Sequence, residues 1–465
     1  MKIKLFVIQF FCLSLMTFGN TKEQNKKYKA IHSGVALFDQ FNKEVNAHGA
    51  CIVKEGDKYY LFGEYKSDTA NVFTGFSCYS STDLANWKFE RIVLPVQTDG
   101  LLGPNRVGER VKVMKCPLTG EFVMYMHADD RDYKDPHVGY ASSKTINGDY
   151  QFKGPLLFDG KPIRRWDMGT FQDTDGKGYL LIHHGYIYEL SDDYKSIKRL
   201  VINQKQGGES PAIFKSKGTY YWLSSNLTSW ERNDNMYLTA TSLEGPWTFR
   251  GFFAPEGSLT WNSQTTFVLP IVNMKDTLFM FMGDRWSYPR QGSASTYVWQ
   301  SITINADKMS IPAYQESWKM NENIAHWVTE NPKSKSIKPN ANIKNGDWKS
   351  ENGKYLAKEK GSLISFPFKG RQVCIKALSD TLSGYAKVTL RNGKNKVIIS
   401  TIVDFYSKYK YSSMKFLSPI LDYGSYELNI EVMGEHPKWS DKRFNKYGST
   451  DDYVVIEDVH LLENK

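Results

Sequence analysis

A pattern of polar turn residues followed by alternating apolar and aromatic residues recurs five times in the first 320 residues. The turns contain pairs such as Asp-Gly and Lys-Gly, which are typical of β-hairpins. A shorter apolar segment precedes each copy, and two further segments, the second bearing an aromatic residue, follow most of them. The five copies are EGDKYYLFGE (55–64), LTGEFVMYMH (118–127), TDGKGYLLIH (174–183), SKGTYYWLSS (216–225) and MKDTLFMFMG (274–283).

Each unit predicts four short antiparallel strands, and the units follow one another every 40–65 residues. Helical periodicity is absent from the sequence. Four-stranded sheets that repeat radially are the blades of a β-propeller. We therefore expect an all-β fold with a five-bladed propeller over residues 30–320.

A change of composition follows the repeats. Residues 331–346 (NPKSKSIKPNANIKNG) are rich in Pro, Lys and Asn and predict a linker. Short alternating strands with Gly and Asn turns then resume. Residues 347–465 therefore predict a second domain, a C-terminal β-sandwich.

The first 19 residues have the pattern of a cleaved signal peptide, with two lysines, an apolar run and Gly19 before the cleavage point. This predicts a secreted or periplasmic protein. A surface lipoprotein is less favoured, because Cys12 lacks the small residues expected before a lipidated cysteine. No other apolar run reaches the length of about 20 residues that a membrane span needs.

The formal charge of +10 lies mostly in the tail, where residues 331–465 hold 23 Lys and Arg against 15 Asp and Glu. Scattered lysines without arginine clusters favour a solvated surface over a polyanion site, and an exported chain is not expected to bind nucleic acid. The remaining cysteines show no spacing typical of a zinc site. They are expected to be buried apolar residues, with a bridge between Cys51 and Cys78 disfavoured.

The residues that open the first strand of each unit form the candidate site. In a propeller these strands line the central channel, so their first residues converge on one pocket. Acids are rarely buried unless they are paired or functional. A merely polar, wet channel is the alternative, but each acid occupies the same point of its repeat, which favours function. The five residues are His48, Glu109, Asp167, Glu209 and Gln264.

Carboxyl groups around a sugar-sized pocket are what glycoside hydrolysis requires. One protonated acid donates to the leaving oxygen while an opposing group activates water. Neighbouring carboxylates raise each other's pKa and so keep the donor protonated. The donor would be one of Glu109, Asp167 and Glu209, and the pattern alone does not distinguish them. Nucleotide-binding glycine loops, a serine elbow and a zinc-binding HExxH motif are absent from the sequence.

Several segments together resemble glycoside hydrolase family 43, and specifically its exo-β-1,3-galactanase-like subfamily 24. The resemblance covers about residues 45–300. It implies an exo-acting, inverting enzyme that releases galactose from β-1,3-galactan, the backbone of arabinogalactan. The segments include NAHGACI, CYSSTDLANW, ERVKV, DMGTFQDTDGKGYL, ESPAIFKSKGTYYWLSS and SQTTFVLP.

The resemblance also implies individual roles. Glu209 of ESPA would be the general acid, Asp167 of WDMG would tune its pKa, and Glu109 of ERVKV would bind the substrate. Further substrate-binding positions would be Glu64, Thr228, Trp230, Arg285, Trp286 and His48.

Gln264 of NSQTTF stands out among these positions. The wider family takes its base from an aspartate that opens the first blade, where this chain reads VNAHG. In the galactanase-like subfamily a glutamine is assigned the base role, and Gln264 matches it. Two alternatives stay open: the amide accepts a proton through its imidic acid tautomer, or it only positions the water.

Two other functions compete with a galactanase. One is another family 43 activity, α-L-arabinofuranosidase or β-xylosidase, and the other is a non-catalytic glycan-binding propeller. No cofactor or metal ligand is expected, although a structural calcium ion in the channel would be compatible with the sequence. The C-terminal domain resembles galactose-binding-like (jelly-roll) modules that can bind carbohydrate, but its aromatic residues Trp348, Tyr406 and Trp439 are expected mainly to pack.

Overall fold

The computed structural model describes residues 27–204, 207–272, 276–321, 326–441 and 444–463. The predicted signal peptide lies outside these residues. The described chain is built from β-strands, which confirms the predicted all-β class. Its helical elements within these ranges are the 3₁₀ turns Gly100–Leu102 and Lys338–Asn340 and one turn of helix, Leu259–Asn262. No helix in the described part of the chain is long and apolar enough to cross a membrane.

Five sheets follow one another in chain order, and we number them first to fifth; their main strands pair antiparallel, and in the third sheet Leu157–Phe158 pairs parallel to Ile197–Asn203. Their strands pair with their sequence neighbours, as hairpin-connected strands do. The first sheet contains His48–Glu55, Lys58–Glu64, Phe76–Ser81 and Lys88–Leu94. The second contains Val107–Lys115, Phe122–Asp129, His137–Ser143 and Gln151–Pro155. The third contains Met168–Gln172, Gly178–Ile182, Tyr186–Leu190 and Ile197–Asn203, extended by Leu157–Phe158 and Lys161–Pro162. The fourth contains Glu209–Ser216, Thr219–Ser225, Met236–Ala240 and Thr248–Phe252.

The fifth sheet departs from the predicted four strands. It contains three: Gln264–Val272, Thr277–Arg285 and Thr296–Ser301. The segment that precedes the first sheet lies along the last strand of the fifth sheet, because the backbone N–H of Gly34 donates to the carbonyl of Tyr297 at 2.7 Å. A separate sheet joins the start of the repeat region to its end and contains Ile31–His32, Ser317–Asn321 and His326–Thr329. A short hairpin after the fifth sheet pairs Thr303–Asn305 with Lys308–Ser310. The two ends of the repeat region are thus held together by backbone hydrogen bonds.

The first strands of the five sheets pack against one another. Each contacts the first strand of the next sheet, and the first strand of the fifth sheet contacts that of the first. The opening residues of these strands are therefore brought together around a common centre. Irregular pairing recurs at this end, with register shifts between His48 and Cys51, Glu109 and Lys112, and Glu209 and Ala212. Such bulges turn side chains away from the regular alternation.

The C-terminal region consists mainly of two larger sheets with a shared apolar core, which includes Phe366, Ile375 and Ile430. One sheet contains Ser334–Ser336, Lys349–Glu351, Lys354–Ala357, Val373–Ser379, Tyr411–Leu417 and Val454–Leu462. The other contains Asn342–Asn345, Leu363–Gly370, Tyr385–Asn392, Val397–Asp404 and Gly424–Val432. A separate hairpin is formed by Lys438–Ser440 and Lys446–Gly448.

Residues 331–346, predicted as a linker, contain two strands of these C-terminal sheets. Ser334–Ser336 pairs with the last strand, and Asn342–Asn345 pairs with Leu363–Gly370. The composition of this segment indicates exposure, which the structure shows for most of it. Proline, lysine and asparagine therefore mark sheet edges here rather than a free connection.

The C-terminal sheets pack directly on the repeat region. The hydroxyl of Ser287 donates to Asp404 at 2.8 Å, and Arg290 pairs with Glu435 at 2.6 Å. The apolar cluster is continuous across the contact, with Phe38 against Phe416 at 6.2 Å between ring centroids. This contact brings the hairpin 438–448 next to the ends of the first strands. The four cysteines within the described residues are free and buried.

Candidate active site

A cavity of about 760 Å³ lies where the first strands begin. All four residues predicted to carry the chemistry line it, namely Glu109, Asp167, Glu209 and Gln264. They come from four different sheets, so their proximity results from the circular packing of the first strands. The cavity is large enough for a saccharide, since small-molecule sites usually measure about 300–1,000 Å³.

Glu209 has the environment of a proton donor. Burial and the neighbouring charge of Asp167 raise the pKa of Glu209 well above its ordinary value. Asp167 is itself held by cationic and N–H donors: Arg110 Nε lies 2.9 Å from Asp167 Oδ1, and the backbone N–H of Ser210 donates to Oδ2 at 2.7 Å. The charge of Asp167 favours the protonated form of Glu209, and the Arg110 cation of the same ion pair opposes this without outweighing burial and Asp167.

The orientation of the Gln264 amide follows from its partners. Oε1 accepts hydrogen bonds from the Arg110 guanidinium and from Trp286 Nε1, the latter at 2.8 Å. Both partners can only donate, so the oxygen must face them. Nε2 therefore faces Glu209 and donates to its Oε1 at 2.8 Å.

Arg110 is the central cation of the site, although no motif in the sequence distinguishes it. It contacts Asp167 and Gln264 through its side chain, and its backbone N–H donates to Glu64 Oε1 at 2.8 Å. In a regular strand Arg110 would point away from the side that bears Glu109. It instead has φ of 55° at the bulge, which turns its side chain into the cavity.

A second cluster surrounds Glu109. Its carboxylate accepts from Asn71 Nδ2 at 2.8 Å and from the Tyr133 hydroxyl at 2.9 Å, and His127 Nδ1 lies 3.3 Å away. Burial opposes its charge, but Lys66 and His127 lower the pKa of Glu109 well below its usual range. Glu109 is thus an ionised acceptor, suited to bind sugar hydroxyls rather than to donate a proton.

Glu64 and His127 complete this cluster. Lys66 Nζ lies 2.5 Å from Glu64 Oε2, yet burial raises the pKa of Glu64. Burial also disfavours a charged His127 ring, but hydrogen bonds to Asp129 and Glu109 raise its pKa to about 9. A side chain at Gly49, which has φ of 59°, would overlap the Glu64 carboxylate, so the first strand requires glycine there.

The other predicted binding residues divide into two groups. Glu64, Trp230 and Trp286 line the cavity. The residues His48, Thr228 and Arg285 are not among those that line it.

Each of these three has a different local role. His48 is buried, stacks on Tyr297 at 4.9 Å and faces Asp284. Arg285 donates to the carbonyl of Trp261 at 2.8 Å. The hydroxyl of Thr228 donates to the carbonyl of Glu231 at 2.9 Å, and its backbone N–H donates to the carbonyl of Asn226 at 3.0 Å. These three residues therefore hold the segments around the cavity in place rather than lining it.

The backbone before Gln264 is strained. Four successive residues just before Ser263 and Gln264 have left-handed φ values. The values are 52° for Leu259, 49° for Thr260, 53° for Trp261 and 60° for Asn262. Non-glycine residues in this region cost roughly 1–2 kcal/mol each. Two side-chain bonds hold the turn, from Asn235 N to Thr260 Oγ1 at 2.8 Å and from Ser263 Oγ to the Thr260 carbonyl at 2.6 Å. Strain of this kind concentrates at functional sites, and here it fixes the start of the strand that carries Gln264.

The C-terminal region contributes to the cavity wall. Ser440, Asp441, Asn445 and Tyr447 of the hairpin 438–448 all line it. No sequence pattern indicates that this region reaches the cavity formed by the first strands. Within the described ranges, no group of three or more His, Cys, Asp or Glu side chains is arranged to hold a metal ion.

Known proteins are similar to this chain. The model for the glycosyl hydrolases family 43 matches residues 44–252. A candidate exo-β-1,3-galactanase from Bifidobacterium bifidum s17 is 39% identical, and the match covers 60% of this chain and 96% of that protein, with a TM-score of 0.57. The chain belongs to glycosyl hydrolase family 43. It is a glycoside hydrolase, and the predicted family membership is confirmed.

Two further relatives of the family 43 protein show how far the likeness extends. The exo-β-1,3-galactanase of Phanerochaete chrysosporium is 24% identical over 92% of this chain and 99% of its own, with a TM-score of 0.68. It shows a shared fold that includes the C-terminal sheets. A β-xylosidase of Bacillus subtilis (strain 168) is 27% identical over 183 residues, which are 38% of this chain and 32% of that enzyme. The chain therefore spans about a third of the length of this curated relative.

Proposed function

We propose that the protein is an exo-acting, inverting hydrolase that releases galactose from β-1,3-linked galactan, the backbone of arabinogalactan. The observation that carries the proposal is the amide of Gln264, oriented by Arg110 and Trp286, in contact with the protonated Glu209. A glutamine at this position is the feature by which the sequence resembles the galactanase-like subfamily. The 39% identity to the Bifidobacterium protein supports the same specificity.

The proposed reaction starts with proton donation. Glu209 gives its proton to the glycosidic oxygen as the bond from that oxygen to the anomeric carbon breaks. A water molecule on the opposite face forms the new bond to this carbon, and its surplus proton passes to Gln264 or to solvent. Asp167 keeps Glu209 protonated before the step, and ionised Glu109 accepts hydrogen bonds from the bound sugar.

The contacts of Gln264 bear on its role in this step. An imidic acid tautomer would place a hydrogen on Oε1, which already faces two donors. The contacts therefore favour the ordinary amide, whose Nε2–H can hold the oxygen of the water. In inverting enzymes the acid and the water-activating group are separated by about 6.5–9.5 Å, so the Gln264–Glu209 hydrogen bond must open when a sugar enters.

The proposal includes the architecture. The five sheets would be the blades of a propeller, with the segment at Gly34 completing the three-stranded fifth blade, and the C-terminal sheets would form a β-sandwich. The circular contacts of the first strands support the former. The two sheets that enclose one apolar core support the latter. Export through the signal peptide completes the proposed setting, because galactan is an extracellular polymer.

A product assay tests the proposed activity. Purified protein is incubated with β-1,3-galactooligosaccharides and, separately, with aryl α-L-arabinofuranosides and aryl β-xylosides. Galactose release, absent from the Glu209→Gln variant and retained when exposed Glu256 is changed to Gln, is the expected result. Pentose release alone would favour the β-xylosidase relative, and binding without release by the wild type would indicate a non-catalytic propeller.

A further inference from the structure

A groove of about 590 Å³ adjoins the reaction cavity. Trp230, Ser440 and Tyr447 line both spaces. The groove runs between the fourth and fifth sheets on one side and the hairpin 438–448 on the other. The groove is therefore the neighbouring space for a glycan that extends out of the reaction cavity past Trp230.

The side of the groove formed by the repeat region is an aromatic platform. Trp230 and Tyr288 are stacked, with their ring centroids 4.6 Å apart and their planes 8° from parallel. Both rings are partly exposed in the groove. Rigid aromatic rings with an exposed surface suit the apolar faces of sugar rings, and they lose little conformational entropy on binding.

The hairpin side is built from fixed polar groups. The Asp441 carboxylate accepts from Asn445 Nδ2 at 2.8 Å and from the Tyr447 hydroxyl at 3.1 Å. Asn445 is exposed and lines the reaction cavity beside Ser440 and Tyr447, which also line the groove. Amide and hydroxyl groups held in this way present both donors and acceptors, which is what sugar hydroxyls require.

The hairpin is anchored to the repeat region. Its Trp439 is buried, with the Arg232 guanidinium 5.2 Å from the ring centroid. The backbone N–H of Lys438 donates to the carbonyl of Tyr288 at 3.2 Å. The polar face of the hairpin and the aromatic platform are therefore held in one arrangement before any ligand binds.

The position of the groove indicates which part of the substrate it receives. Glu209 and Trp230 both line the reaction cavity, and Trp230 also lines the groove. In an exo-acting enzyme the terminal sugar occupies the reaction cavity, so the sugar units that reach the groove belong to the leaving group. A donor faces the oxygen of the leaving group. We infer that the groove binds the sugar units on the leaving-group side of the cleaved bond, and that the C-terminal hairpin thereby forms part of the substrate site. This inference rests on the proposed galactanase function.

The test compares substrates of different length. Values of kcat and KM are measured for an aryl β-galactoside, β-1,3-galactobiose and β-1,3-galactotriose with wild type, Asn445→Ala and Trp230→Ala. Each substitution is expected to raise KM for the trisaccharide about five- to tenfold more than KM for the aryl galactoside, since only the longer leaving group reaches the groove. The exposed residues Asn342 and Tyr423, which lie on the C-terminal sheets and between their strands, provide matched controls as Asn342→Ala and Tyr423→Ala.

The outcomes separate the two proposals. Equal losses on the short and long substrates, with galactose still released, would overturn the groove assignment alone. A wild-type protein that releases no galactose from any of the three substrates would overturn the proposed function and this inference with it. Circular dichroism of each variant checks that the hairpin substitution has not unfolded the C-terminal region.

Discussion

Gln264 Nε2 donates to Glu209 Oε1 at 2.8 Å, so the proton donor and the amide that faces it are in direct contact. The amide has no freedom to reverse, because Arg110 and Trp286 both donate to its oxygen. Its N–H group is therefore the only polar group that Gln264 can present to water or substrate next to Glu209. Gln264, which cannot ionise, therefore acts in this acidic site through its N–H group.

Replacing Gln264 by alanine should abolish turnover while largely retaining binding. The water would lose the group that orients it, and misplacing a reacting group can cost on the order of 10²-fold or more in rate. Steady-state kinetics on β-1,3-galactobiose measures the loss, and calorimetric titration with galactose measures binding. The matched control is Gln97→Ala, because Gln97 is half-buried in the connection between the first and second sheets and does not line the cavity. Unchanged turnover would remove Gln264 from the mechanism.

Asp167→Asn should move the alkaline limb of activity to lower pH. Burial raises the pKa of Glu209 first, and the Asp167 charge raises it further. Glu209 acts as a donor only while protonated, so activity falls as pH rises through its pKa. Removing the Asp167 charge lowers that pKa, and the limb should shift down by about one pH unit or more.

The pH profile of kcat/KM tests this shift, with the exposed Asp57→Asn variant as control. If kcat/KM of Asp167→Asn is lower at every pH but declines over the same alkaline pH range as in the wild type, Asp167 acts by orienting Glu209 rather than through its charge.

The strands of the sheets and the acids of the site could be predicted from the sequence. The pairing between the two ends of the repeat region and the place of Arg110 in the cavity could not. Hairpin turns and alternating apolar strands are local signals, and the acids occupy equivalent points in the repeats. The pairing of Gly34 with Tyr297 joins residues more than 250 positions apart, which no local pattern reports. Arg110 enters the cavity only because a bulge reverses its direction. The hairpin contribution of Asn445 depends on how two separately patterned regions pack.

Arg110→Lys should lower turnover more than it lowers stability. Lysine keeps a positive charge beside Asp167, but its compact ammonium lacks the planar fork through which the guanidinium contacts both Asp167 and Gln264. We expect kcat to fall about 10²-fold or more because the Gln264 amide loses its orientation. Arg110→Ala would also leave buried carboxylates unpaired, which typically costs about 3–5 kcal/mol.

Thermal unfolding and kinetics of both Arg110 variants separate the two effects. An Arg110→Lys enzyme with normal kcat would show that a charge at this position is sufficient and that the two side-chain contacts of the guanidinium are dispensable.

His127 should make the protein less stable as pH rises above neutrality. Burial disfavours its charge, yet the carboxylates of Asp129 and Glu109 raise the pKa of His127 to about 9, against an ordinary value of 6.5. The stabilisation is therefore fully present below about pH 6.5 and is lost as pH rises through about 9. The difference between the two pKa values corresponds to on the order of 3 kcal/mol.

Urea unfolding of wild type and His127→Gln between pH 6 and 9.5 measures this contribution. Burial lowers the pKa of Lys112 to about 8, which changes stability in the opposite direction, so the difference between wild type and variant is the informative quantity. That difference should shrink steadily as pH rises, because the variant has no imidazolium to lose. His460→Gln, in the C-terminal sheets, is the matched substitution. A difference that stays constant with pH would mean that His127 is neutral in the folded protein and stabilises it by packing alone.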